Sequence, residues 1–187
     1  KDYSSQLRFK ILDAPAGSGF RSQNPEFSIN VRTDWDLAGC QRFQIVFEGR
    51  EARIHKNGGP SCPDVMLKQV AISLEWNIWH TARVDVHGMT VIVYLDEKEI
   101  MQATDNQPIW AGGLGLEVGP GMGVFFDDVR VTEILTGLAC APGLTELFSD
   151  DFNNGDAQGW HFADEAGNTT GSWPVELQDG NYVLVGR

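Results

Sequence analysis

Hydrophobic and polar residues alternate with a period of two along most of this chain. In QLRFKIL (6–12), Leu7, Phe9 and Ile11 alternate with Gln6, Arg8 and Lys10, the pattern of a strand with one buried face. The same alternation marks FSINVRT (27–33), RFQIVFE (42–48), EARIHK (51–56), TARVDVH (81–87), TVIVYLD (90–96), GLGLEV (113–118) and GVFFDDVRVTEI (123–134). HGMT (87–90) and DEK (96–98) fall between such runs and predict hairpin turns. DVMLKQVAISLEW (64–76) is long enough for a short helix, but its Val and Ile content favours a strand. Strands at this spacing predict an all-β, antiparallel two-sheet sandwich or jelly roll.

Composition agrees and narrows the partners. Of 187 residues, 42% are hydrophobic and 21% charged, enough apolar surface to bury a core. Twenty-one Gly and eight Pro suit short strands joined by turns. Twenty-six acids against 14 bases give a net charge of −12, which argues against nucleic acid or an anionic membrane as the main partner. No apolar run approaches the ~20 residues of a membrane-spanning helix. Three cysteines are too few for a disulfide scaffold. Cys40 and Cys62 bracket a loop-like stretch and can close one bridge, leaving Cys140 over; three reduced, buried thiols are the alternative. The bridge points to an oxidising compartment, extracellular or at the cell surface.

Two segments resemble a known superfamily. WHTARVDVHGMTVIVYLDEKEI (79–100) is similar to a strand pair of concanavalin A-like sandwiches, the group holding laminin G-like domains, legume-type lectins and many glucanases. The resemblance implies that Trp79 and Val84 are core, that Gly88 makes the turn, and that Tyr94 and Asp96 end the next strand. GGLGLEVGPGMGVFFDDVRVTEI (112–134) resembles the closing segment of the same domains. FSDDFNNGDAQGW (148–160) and SWPVELQDGNYVLVGR (172–187) resemble their opening segment, yet here they come last.

That order implies an incomplete jelly-roll body (1–134), a linker (135–147) and a donor segment (148–187) that completes a sandwich. The donor either folds back on its own body, as a circular permutant, or inserts into the next copy and builds a head-to-tail filament. A period cut from a longer tandem chain is a third version. The linker, up to ~50 Å if extended, tilts the expectation towards exchange between copies. Phe148, Phe152, Trp160, Trp173, Val183 and Val185 are the apolar side chains the donor brings, with Val183 expected to face the core.

Candidate chemistry is sparse. The glucanases of this superfamily need a carboxylate set of the form E-x-D-x-(x)-E, and none is present. Asp34/Asp36 and Glu97/Glu99 lack a third acid, and no HExxH, G-x-S-x-G or P-loop occurs. The resemblance implies a structural calcium between the opening and closing strands, held by Asp127, Asp128, Asp150 and Asp151. Hydrogen bonding of these aspartates to turn amides is the alternative. For sugar binding, Trp35 between Asp34 and Asp36 is the leading candidate, with Trp76 and Trp110 also expected to be exposed; Trp79, Trp160 and Trp173 read as core. Asn168 lies in an N-x-T glycosylation sequon. The sequence therefore predicts a non-enzymatic extracellular structural subunit whose partners are other copies of itself. The alternative is a carbohydrate-binding, lectin-like module in permuted form.

Overall fold

The computed structural model describes residues 2–12, 26–33, 42–57, 64–119, 123–134, 145–162, 173–178 and 180–186. Within them the period-2 runs all become strands: β1 (Tyr3–Ile11), β2 (Glu26–Thr33), β3 (Arg42–Glu48), β4 (Glu51–Asn57), β5 (Val65–Ala71), β6 (Trp79–His87) and β7 (Thr90–Leu95). These are followed by β8 (Lys98–Thr104), β9 (Gly113–Val118), β10 (Val124–Glu133), β11 (Thr145–Asp150), β12 (Val175–Gln178) and β13 (Asn181–Gly186). β5 settles the ambiguous 64–76 stretch as a strand, and β11 starts three residues inside the expected linker.

Two antiparallel sheets face each other. One runs β12-β13-β10-β1-β6-β7-β8, with β11 also on β10; the other runs β5-β4-β3-β2-β9. Each sheet turns its apolar phase inward. Phe9 and Phe126 from the first sheet meet Phe27 and Phe47 from the second, with ring centroids 4.6–5.8 Å apart. Trp173 continues the stack on Phe126 at 6.0 Å. Full burial of rings of this size contributes about 1.5–3 kcal/mol each, so this stack is what clamps the layers.

The tail sits on the chain's own body. β11 pairs with the C-terminal half of β10 (Val129↔Asp150 to Glu133↔Thr145), and β13 with its N-terminal half (Val124↔Gly186 to Phe126↔Leu184). The opening and closing motifs are therefore neighbours, as expected. Exchange with a neighbouring copy finds no support, because the edge of β10 a donor would need is filled from the same chain. β13 and β1 flank β10 on opposite sides, with Gly186 and Ile11 both paired to Val124 but Tyr3 paired to Glu133. The end of β13 thus lies about 30 Å from the start of β1, at ~3.3 Å per residue of β10, and does not lead into it.

Phase also corrects two core assignments. Leu184, paired with Phe126, enters the main core, whereas Val183 and Val185 are buried on the other face of the sheet, in a small cluster with Phe125. Trp79 packs against that cluster too, beneath Arg8 and Lys10, whose cations lie 4.7 and 5.0 Å from its ring. Val84 is in the main core and Gly88 makes the turn with φ of 55°, both as expected.

Candidate functional site

The five-stranded sheet has one apolar face and one polar face, and the polar one is built like a recognition surface. In β2, Phe27, Ile29 and Val31 enter the core, so Ser28 and Asn30 point the other way. Register sets their neighbours: Ser28 pairs with Val46 and Glu117, Asn30 with Gln44 and Gly115, and Gln44 with His55. One carboxylate oxygen organises them. Glu117 Oε2 accepts from Asn30 Nδ2 and Gln44 Nε2, both at 3.2 Å, and from Ser28 Oγ at 3.4 Å, while Arg42 Nη1 lies 3.2 Å away. Ser28 and Asn30 are buried beneath this layer; Arg42 and Glu117 are partly exposed above it.

The network leaves acceptors over. Asn30 Oδ1 is buried and has no partner among the described residues. His55 Nδ1 lies 3.0 Å from Asp64 Oδ1, and with the proton there Nε2 is an acceptor, also buried and unpartnered. Asn30, Gln44 and His55 form one row across β2, β3 and β4, and exposed Met66 of β5 extends it. At the far end of the face Arg53 is clamped by three acids: Glu48 at 2.9 Å, Glu26 at 3.4 Å and Glu51 at 3.5 Å.

A buried cation fixes the adjoining end of the sandwich. Arg32 has φ of 51°, at the register shift between Val31 and Thr33, and its side chain turns into the interior. Its Nη2 lies 3.1 Å from Asp2 Oδ1, and its Nη1 donates to the carbonyls of Gly88 (2.9 Å) and Ile109. Its backbone N donates to Tyr3 Oη at 2.6 Å. Burial pushes the Tyr3 hydroxyl up to about 12 and pulls the Arg32 guanidinium down from its usual value. Gly112 follows; a Cβ there would stand 2.2 Å from the Arg32 carbonyl carbon, so only glycine fits. Trp110, between these anchors, is 62% exposed, and Trp76 is 40% exposed, as read from the sequence.

The remaining predicted residues divide sharply. Asp34, Trp35, Asp36, Cys40, Cys62, Cys140 and Asn168 lie outside the described residues. Of the four aspartates, Asp127 is buried and accepts from Asn181 Nδ2 (2.6 Å) and the Asp128 amide (2.8 Å), while Asp128 pairs with Arg8 at 3.1 Å. Asp150 accepts from the Phe152 amide and from Trp160 Nε1, both at 2.8 Å, and Asp151 from the Asn153 amide at 3.1 Å. Protein donors thus serve every one of these carboxylates, and no three His, Cys, Asp or Glu among the described residues are placed to hold a cation. Trp160 and Trp173 pack against the main core, as expected.

Asp127 makes stability depend on pH. Burial, first, and neighbouring Asp128 raise its pKa above the usual 3.8. The folded protein therefore keeps this proton at pH values where the unfolded chain has lost it. Stability from this group is fullest in acid and falls as pH rises from about 4 through the raised value. Asp127→Asn preserves an acceptor, with Asn181 free to turn its amide. The difference in urea-unfolding stability, wild type minus variant, is expected to decline from about pH 4 to pH 7; a flat difference would show that the carboxyl does not titrate abnormally.

No protein-family model and no curated protein sequence matches the chain. Solved structures do. A carbohydrate-binding module of the CBM66 type from Bacillus subtilis is similar over 70% of this chain and 74% of its own, at 15% identity and a TM-score of 0.55. Sheep galectin-11, solved with glycerol, is similar over 70% and 89%, at 14% identity and a TM-score of 0.52. At such identities the likeness establishes the fold alone: a concanavalin A-like jelly-roll sandwich.

Proposed function

We propose that this protein is a non-catalytic carbohydrate-binding module acting outside the cell, with its ligand on the polar face of the β5-β4-β3-β2-β9 sheet. The observation that carries the reading is the Glu117 hub, which gathers Ser28 and Asn30 of β2 and Arg42 and Gln44 of β3 onto one oxygen. A stable fold has no need of a buried amide and hydroxyl there; apolar residues would be neutral or better. Sugars, with adjacent hydroxyls that both donate and accept, match such a fixed array of carboxylate, amide and guanidinium. The similar Bacillus subtilis structure is a carbohydrate-binding module by name, which supports the same reading, and the missing carboxylate set speaks against hydrolysis. Asp34, Trp35 and Asp36, which follow Thr33 in the sequence, keep the role proposed from the sequence, an aromatic ring to stack on a sugar with an acid on either side.

The test is titration of soluble oligosaccharides by calorimetry or affinity electrophoresis. Arg42→Ala and Gln44→Ala each remove a polar group from the exposed layer and leave the core intact. Each is expected to weaken binding about tenfold or more, the worth of one hydrogen bond to a charged group. Unchanged affinity in both variants would place the ligand elsewhere, and release of reducing sugar would contradict the non-catalytic reading.

A further inference from the structure

The charge on this face selects among saccharides. Two arginines stand against Glu26, Glu48, Glu51, Asp64 and Glu117, giving a formal charge of −3 with His55 neutral. Including Arg50, at the tip of the β3–β4 hairpin, it is still negative. More telling is that the charge of each arginine is already compensated. Arg42 is held by Glu117, and Arg53 by three glutamates from β2, β3 and β4. A carboxylated or sulfated sugar would have to displace a fixed carboxylate to reach either cation, and would meet the others at close range in a partly desolvated setting. An uncharged sugar faces no such cost. Its hydroxyls donate to carboxylates and to the two unpartnered acceptors, Asn30 Oδ1 and His55 Nε2, as small adjustments of the side chains open them.

Resting on the carbohydrate-binding reading, we infer that the face takes uncharged saccharides and rejects uronic-acid and sulfated ones, with Glu26, Glu51 and Glu117 setting the discrimination. Electrostatics of this kind act mainly on specificity, through like-charge juxtaposition, rather than on raw affinity.

The experiment is native affinity electrophoresis of the whole chain through gels carrying neutral polysaccharides (glucan, galactan, mannan, fructan) or polygalacturonate and alginate. Expected is retardation by at least one neutral polymer and at least about tenfold weaker retardation by the uronates at low ionic strength. The gap should narrow as salt shortens the screening length from ~30 Å at 0.01 M to ~8 Å at 0.15 M. That measurement needs no substitution. The double variant Glu26→Lys with Glu51→Lys moves the formal charge of the face from −3 to +1 and frees Arg53 from two of its three acids. It is expected to gain retardation by polygalacturonate relative to the neutral polymers. Wild-type retardation by the uronates as strong as by neutral polymers, weakened by Arg42→Gln, would overturn this inference and leave the carbohydrate-binding reading standing. Retardation by none of the polymers would overturn both.

Discussion

Arg32→Ala is expected to destabilise the protein by about 3–5 kcal/mol, the range for breaking a buried ion pair. The side chain is fully buried, and it joins four separate pieces of chain: Asp2 before β1, its own strand β2, the β6–β7 turn at Gly88, and the approach to β9 at Ile109. Truncation removes the donor for two carbonyls, leaves the Asp2 carboxylate with the Gly88 amide at 2.9 Å and His87 Nε2 at 3.8 Å, and opens a cavity in their midst. Arg32→Lys keeps the charge but replaces a planar fork by one ammonium, which cannot serve Asp2, Gly88 and Ile109 in their present places. Its loss should be intermediate. At roughly 2–4 °C per kcal/mol for a chain of this size, the alanine variant should melt on the order of 10 °C lower. A shift of a degree or two would mean that Asp2 and the turn hold without it. Because the network ends at Ile109 and Gly112, which lead into β9 and Glu117, the same variant should also loosen the proposed sugar face.

Arg32 marks the limit of what sequence periodicity reveals. In FSINVRT the alternation assigns Ser28, Asn30 and Arg32 to one face, and for the first two this is correct. The register shift at Val31/Thr33 and a positive φ then turn Arg32 inward, and a bulge leaves no trace in a period-2 pattern. The strands themselves were legible because each alternates cleanly. Where every position is apolar, phase was lost: in NYVLVG the core residue is Leu184, not Val183, and only pairing with Phe126 decides it. Trp79 misleads for a similar reason, since it shares the phase of Lys10 rather than that of Phe9. The polar face was hidden for a different cause. Its members come from β2, β3, β4 and β9, with Ser28 and Glu117 89 positions apart, and cross-strand register is a long-range property that no local window contains. The polar residues between the apolar ones were visible in each strand; their convergence on one oxygen was not.

Removing residues 145–187 is expected to leave a body that does not fold to a stable, soluble state. Three lines of structure converge on this. β11 and β13 together cover one edge of β10, so their loss bares a strand edge ten residues long from Val124 to Glu133, inviting aggregation. Phe152 and Leu184 are fully buried in the main core, and Phe148, Trp160, Phe162, Trp173 and Val175 pack on it. At about 1.5–3 kcal/mol per large apolar side chain, even half of this burial is on the order of 10 kcal/mol, as large as the net stability of a typical domain. The tail is also locally organised to present these groups: Asp150 ties the Phe152 amide and the Trp160 indole, both at 2.8 Å, so that the two rings sit 6.0 Å apart. Point variants should follow the same map. Phe152→Ala is expected to cost about 3–5 kcal/mol, as a large-to-small change in a closed core. Leu177→Ala, on the exposed side of β12, should cost less than about 0.5 kcal/mol. A synthetic peptide of 145–187 added in trans should restore folding of the truncated body, because nothing in the pairing of β10 with β11 and β13 requires covalent continuity. A truncated body that stays monomeric and melts cooperatively within a few degrees of the full chain would show that the tail is an accessory and that β1–β10 carry the sandwich alone.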